Sequence, residues 1–144
     1  MNGNCFLDTN ILVYSFDHSN PAKQTEAVRL VKTALQNGKG VISSQVVQEF
    51  INVATKKFET AFTLEDCRKY LDTVLSGLCR VFTSIELYKH SLDIMERWGY
   101  SHYDSLIIAA ALQADCETLY SEDLHHHQKI RDLTIIDPFK VLQL

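Results

Sequence analysis

The sequence predicts an α/β fold: a three-layer sandwich with a mainly parallel five-stranded sheet flanked by helices. Three observations predict it. Short apolar runs of strand length alternate with longer segments whose apolar residues recur at helical spacing. The helical segments carry their own start and stop residues. Strand followed by helix, repeated along the chain, is the pattern of parallel strands joined by right-handed crossovers.

The elements follow in order. Asn4 to Asp8 reads as the first strand, with a short helical stretch from Ile11 to Phe16 after it. Asn20-Pro21 opens the next helix, Asn as the cap and Pro at the first helical position, where its missing N–H is not needed. Ala27, Val28, Leu30, Val31, Ala34 and Leu35 recur at helical spacing, and Asn37-Gly38 stops the run. Val41-Ile42 is the second strand. Ser43-Ser44 caps a helix carrying Val46, Val47, Phe50, Ile51, Val53 and Ala54. Thr63 with Asp66 has the form of a capping box and starts a helix that Gly77 closes. Arg80 to Thr83 is the third strand, and Ser84 caps a helix through Trp98 that Gly99 ends. Asp104 to Ala114, dense in Ile, Leu and Ala, reads as a helix buried all round. Thr118 to Tyr120 and Leu133 to Ile136 are the fourth and fifth strands, the last ended by Asp137-Pro138. No repeat, low-complexity segment or linker divides the chain, so one domain over 1–144 is expected.

With 144 residues, 46% hydrophobic and 22% charged, the chain can bury a substantial core. No apolar run approaches the roughly 18 residues of a bilayer span, and Met1-Asn2-Gly3-Asn4 lacks the basic start of a signal peptide. Cys5, Cys67, Cys79 and Cys116 are scattered without a CxxC pair, which favours reduced thiols over a disulfide framework or a zinc site. A cytoplasmic protein is the expectation. The net charge of −4 runs against the basic balance usual in phosphate binders. Four acids held by a metal would account for all of it, so charge neither supports nor excludes RNA.

Those acids are Asp8, Glu49, Asp104 and Asp123. Ligands of an open parallel sheet bind outside the carboxyl ends of its strands. Carboxylates gathered there repel one another unless a cation sits among them. Hard ions such as Mg²⁺ prefer oxygen ligands and leave positions for water and phosphate. A metal-dependent phosphodiester chemistry is therefore expected.

Each acid also has a plain structural use. Asp8 follows the first strand, on a rigid support with Thr9 and Asn10 beside it, yet Asp8 or Asn10 would serve equally as a helix cap. Glu49 sits in the polar notch between Val46, Val47, Phe50 and Val53, where a solvated face is the usual outcome. Gln45 and Gln48 read as helix surface. Asp104 in a first helical turn interacts favourably with the helix dipole by a few tenths to about 1 kcal/mol. Trp98, Tyr100, His102 and Tyr103 form an aromatic lip beside it, suited either to stacking on unpaired bases or to closing the core. After the fourth strand, Glu122 and Asp123 compete as ligand and position alone does not choose, while Ser121 is placed to fix the turn. His125-His126-His127 reads as a solvated run, since three consecutive His seldom converge on one ion. An aspartyl-phosphate enzyme would carry a second Asp where Asn10 stands, and no Gly-rich phosphate loop occurs.

Together these stretches resemble the PIN-domain ribonuclease family, and within it the VapC-type toxins of bacterial toxin–antitoxin pairs. The matching runs are Phe6-Leu-Asp-Thr-Asn-Ile-Leu-Val-Tyr14, Gln45-Val-Val-Gln-Glu-Phe-Ile-Asn-Val-Ala54, His102-Tyr-Asp-Ser-Leu-Ile-Ile-Ala-Ala110 and Leu119-Tyr-Ser-Glu-Asp-Leu124, with Ile136-Asp137-Pro138-Phe139 similar as well. They cover the chain end to end in the family's order. The resemblance implies a PIN-like sheet, Mg²⁺ or Mn²⁺ at Asp8, Glu49, Asp104 and Asp123, support from Thr9, Asn10 and Ser121, and hydrolysis of RNA by a metal-activated water. It prefers Asp123 over Glu122. It also implies a homodimer and a cognate antitoxin laid along apolar grooves, for which Ala27 to Leu35 and Leu64 to Leu75 are amphipathic candidates. The alternatives are a non-catalytic RNA- or protein-binding PIN module, which predicts loss of acids, and a nuclease acting on structured DNA. One departure stands out: many relatives carry Gly where this chain has His127.

Overall fold

The computed structural model describes residues 3–140; Met1-Asn2, part of the reading of the N-terminus, lies outside them. Strands β1 (Asn4–Leu7), β2 (Gly40–Ser43), β3 (Cys79–Val81), β4 (Cys116–Tyr120), β5 (Lys129–Ile130) and β6 (Leu133–Ile136) form one sheet in the order β3-β2-β1-β4-β6-β5. All pairings are parallel except β5 with β6. The expected five parallel strands are present, with β5 as a sixth, antiparallel addition. Its two residues pair through Ile130 and Leu133 across Arg131-Asp132. No Gly, Pro or Asn marks that turn, which is why the pattern of residues does not show it.

Helices α1 (Thr9–Tyr14), α2 (Pro21–Gln36), α3 (Ser44–Lys56), α4 (Leu64–Tyr70) and α5 (Ser76–Leu78) lie between β1 and β3. A π-helical turn, Leu71–Leu75, joins α4 to α5. Helices α6 (Ile85–Trp98) and α7 (His102–Gln113) connect β3 to β4. The first set steps outward from β1 to β3, and the second returns across the sheet. Right-handed crossovers therefore put the two sets on opposite faces.

Local signals place most boundaries. Asn20 caps α2 with Pro21 at its first position, Ser43 caps α3, Ser84 caps α6, and Thr63 with Asp66 forms the complete capping box of α4. Gly99 ends α6 at φ 75°, a left-handed conformation open to glycine. Gly40 has a different reason. A Cβ there would stand 2.4 Å from the Ala34 Cβ and 2.8 Å from Leu78, so close packing of α2 and α5 on β2 requires its absence. Two starts differ from expectation. Helix α1 begins at Thr9, not Ile11, because Asp8 caps it; α7 begins at His102, not Asp104, because Ser101 caps it.

The core joins Phe6 and Leu7 of β1, Val41 and Ile42 of β2, Leu119 of β4 and Ile135 of β6 to residues 105–111 of α7, all buried. Helix α7 is covered all round over residues 105–111, as its composition predicts, while Tyr103 and Gln113 near its ends are exposed. A satellite cluster of Phe16, Phe50, Phe58, Phe62 and Tyr70 closes the α1–α3–α4 side, with ring centroids 4.9–6.1 Å apart. Among the described residues, no helix is long and apolar enough to cross a membrane.

Candidate functional site

The strand order turns at β1: the chain builds outward through β2 and β3, then returns to place β4 on the other side of β1. Neighbouring strands whose connections leave in opposite directions open a crevice at their carboxyl ends. Asp8 ends β1 there, and Ser121 to Asp123 follow β4. Helix α3 starts directly after β2 and carries Glu49. The tight turn at Ala114-Asp115 folds β4 back along α7, so the start of α7, with Asp104, lies beside the end of β4.

Asp8 is the buried member, 7% exposed. Its Oδ1 accepts the Thr9 N–H at 2.7 Å and its Oδ2 the Ser121 hydroxyl at 2.7 Å. The cap that the sequence allows and the site role are thus compatible, because a carboxylate has about four lone-pair positions and Asp8 uses two. Glu49, half-buried, accepts the Thr9 hydroxyl at 3.0 Å. Asn10 donates from Nδ2 to Asp123 at 3.0 Å and accepts the Glu122 N–H on Oδ1 at 3.3 Å. The Asp123 N–H donates to Ser121 Oγ at 3.2 Å. Ser121 thereby links Asp8 to Asp123, and α1 links both to Glu49.

Electrostatics ties the acids together. Burial pushes the Asp8 carboxyl up to about 6, against the pull of Ser121 and Thr9, with further upward push from Glu49 and Asp123. Burial likewise raises Glu49, opposed by the Thr9 hydroxyl and aided by the charges of Asp104 and Asp123. Asp104 is raised by burial, partly offset by Ser101, and by Asp123. Each acid feels at least one other, and among the described residues no Lys or Arg forms an ion pair with any of the four.

The donors suit a hard divalent cation by chemistry: all are oxygen, and all are anionic when ionised. Among the described residues no three His, Cys, Asp or Glu side chains close tightly enough to enclose an ion unaided.

The neighbours of the acids sort themselves out. Glu122 turns away: its Oε1 accepts the Tyr14 hydroxyl at 2.7 Å and its Oε2 pairs with Lys23. Trp98 and Tyr100 pack against the core, His102 is half-buried, and Tyr103 is 67% exposed. Gln45, read from the sequence as helix surface, donates from Nε2 to the Tyr103 carbonyl at 3.2 Å and ties the start of α3 to the start of α7. Ser101 supplies the Asp104 N–H with an acceptor at 3.2 Å; the spacing Ser101-x-x-Asp104 was a legible capping signal. The histidine run is not uniformly solvated. His126 is half-buried and accepts the Asp137 N–H on Nδ1 at 2.9 Å, while His127 adopts φ 70°.

A doubly wound sheet with carboxylates from four elements at its switch point defines a class of acidic-site α/β proteins. The PIN domain family model matches residues 5–132, and the chain belongs to that family. Similar solved structures include a toxin–antitoxin complex from Klebsiella pneumoniae, at 22% identity and TM-score 0.66 over 94% of this chain and 98% of that one. VapBC2 of Rickettsia felis, bound to a DNA fragment from its promoter, has 22% identity and TM-score 0.61 over 91% and 96%. VapC20 of Mycobacterium tuberculosis, a sarcin-ricin-loop-cleaving toxin, has 17% identity and TM-score 0.60 over 83% and 90%. A comparison with curated proteins returned no match.

Proposed function

We propose that the chain is a metal-dependent endoribonuclease and the toxin of a type II toxin–antitoxin pair, using Mg²⁺ or Mn²⁺ at Asp8, Asp104, Asp123 and Glu49. The observation that carries this reading is the delivery of four carboxylates to one crevice, where burial and their mutual charge raise Asp8, Glu49 and Asp104 and where, among the described residues, no Lys or Arg forms an ion pair with any of the four. Membership of the PIN family and the toxin structures that share the fold support it.

Asp8 and Asp104 are the principal holders of the ion, Asp8 fixed from both sides by Thr9 and Ser121. When bound, the divalent ion neutralises charge on the scissile phosphate and acidifies water. Glu49 and Asp123 orient the attacking water or complete the ion's surroundings. The Thr9 hydroxyl and the Asn10 amide hold them in place.

The same reading includes a cognate antitoxin, a homodimer and a cytoplasmic setting. Of the two segments suggested for the antitoxin, α2 turns Ala27, Leu30, Val31 and Ala34 into the core. Another seat is a groove of about 520 Å³ in which Phe16, Phe58 and Phe62 are joined by Asp17, Lys57 and Glu59. Exposed Ile85, Tyr88 and Leu92 on α6 offer a face for a second copy; sedimentation that finds only monomers at micromolar concentration contradicts the dimer.

The test compares single-stranded RNA with single- and double-stranded DNA, with Mg²⁺, with Mn²⁺ and with EDTA. RNA cleavage that needs the metal and stops with EDTA is expected. Binding of RNA without cleavage under every metal condition would instead support a non-catalytic PIN module.

A further inference from the structure

Glu122 stands between Ser121 and Asp123, two residues of the proposed site, yet its carboxylate leaves the acidic cluster. Lys23 pairs with Glu122 Oε2 and also reaches the Tyr14 hydroxyl at 3.3 Å. The ammonium lies 4.7 Å from the centre of the Tyr14 ring and 5.4 Å from that of Phe139, and the two rings meet edge to face at 4.9 Å. The Lys23 and Glu122 side chains are only 23% and 25% exposed. This is not an isolated surface pair, whose contribution would be small. It is one node of a network joining α1, α2, the loop after β4 and the turn after β6.

The network bears on the site through the backbone. Asn10 and Tyr14 are one turn apart on α1, on the same face. Asn10 takes the Glu122 N–H and grips the Asp123 carboxylate; Tyr14 takes the Glu122 side chain. The segment 121–123 is thus stitched to α1 at two points. Ser121 anchors the start of the segment to Asp8 and to the Ile136 carbonyl, and the Tyr14 contact adds a hold on the residues that follow it.

We propose that Glu122, with Lys23 and Tyr14, is a positioning clasp that fixes the loop after β4 so that Asp123 stays beside Asn10, and that keeps a fifth carboxylate out of the cluster. The inference rests on the reading of that cluster as a metal-dependent nuclease site. Glu122 touches neither substrate nor metal in this account and acts through Asp123.

The experiment measures Mn²⁺ binding by calorimetry, RNA cleavage at saturating metal and thermal melting for wild type, Glu122→Ala, Tyr14→Phe and Lys23→Arg. Glu122→Ala is expected to weaken Mn²⁺ binding and lower kcat by about tenfold each, the scale seen when a group supporting a metal ligand is removed. KM for RNA stays near the wild-type value. Tyr14→Phe removes one hydroxyl, keeps the ring, and produces a smaller change in the same direction. Lys23→Arg keeps the charge and stays near the wild-type values. A folded Glu122→Ala or Tyr14→Phe that melts lower but binds Mn²⁺ and turns over like wild type overturns the clasp and leaves a structural role only. If Glu122→Ala does not fold, Tyr14→Phe decides. A wild-type chain that neither binds Mn²⁺ nor cleaves RNA overturns the nuclease reading and the clasp with it; a metal-binding, active wild type with unaffected variants overturns the clasp alone.

Discussion

Asp8 carries the largest electrostatic tension in the site, because burial lifts it from its ordinary 3.8 to about 6. The unfolded chain releases that proton near pH 4, whereas the folded chain holds it to about pH 6. The folded state is therefore penalised as pH rises through that window: not at all below about pH 4, and fully above about pH 6. A shift of about two units corresponds to roughly 3 kcal/mol. The metal-free protein is expected to melt higher at pH 5 than at pH 7, with the difference reduced in Asp8→Asn. Mg²⁺ is expected to raise the melting temperature more at pH 7 than at pH 5; equal shifts at both would contradict this account of Asp8. A second residue stores backbone strain. His127 occupies φ 70°, a conformation costing non-glycine residues about 1 kcal/mol or more. Urea denaturation of His127→Gly is expected to show a gain of up to about 1 kcal/mol, since the relief is offset by added freedom in the unfolded chain. A loss of that size would mean that the His126–His127 ring contact at 3.7 Å outweighs the strain. At this scale the sequence located the four acids but not their geometry. Position did not choose between Glu122 and Asp123; Tyr14 and Lys23, over a hundred and about a hundred residues away in sequence, turn Glu122 aside.

The cap of α1 and helices α3 and α7 deliver Asp8, Glu49 and Asp104, and the loop after β4 delivers Asp123. Glu49 and Asp104 ride on α3 and α7, and Gln45 joins these two near their N-termini by one hydrogen bond. Such a bond contributes about 1 kcal/mol net to stability, yet here it also fixes the relative position of two carboxylates. Gln45→Ala is expected to lower RNA cleavage by about tenfold while changing stability by no more than about 1 kcal/mol, read by kinetics and denaturation together. Unchanged kinetics would mean that the sheet alone sets the spacing. Most elements were legible from caps and stops: Asn20-Pro21, Thr63 with Asp66, Ser84 and Gly99 all act as their residue types predict. Where reading failed, a physical reason is visible. The two-residue β5 is too short to show alternation, and at the start of α7 the polar, aromatic His102-Tyr103 turn interrupts the apolar run although Ser101 caps it. The role of Gln45 depends on a neighbour 58 residues away.

The whole molecule explains why the acids meet. The order β3-β2-β1-β4-β6-β5 places the switch between β1 and β4, and the carboxyl ends of β1, β2 and β4 share one edge. Alternating strands and helices foretold a parallel sheet, because period and length are local properties. The order of strands is not local, so the crevice itself became visible only in the fold. In the proposed function, four carboxylates gathered there would hold a divalent ion, and the protein would use it to cleave RNA. The most direct measurement is the rate of Mn²⁺-dependent cleavage of a single-stranded RNA by wild type and by Asp104→Asn, chosen because Asp104 is only half-buried and its substitution spares the core. The rate is expected to fall about a hundredfold or more in a variant whose melting temperature stays close to that of the metal-free wild type. Cleavage by folded Asp104→Asn at the wild-type rate would contradict the proposal.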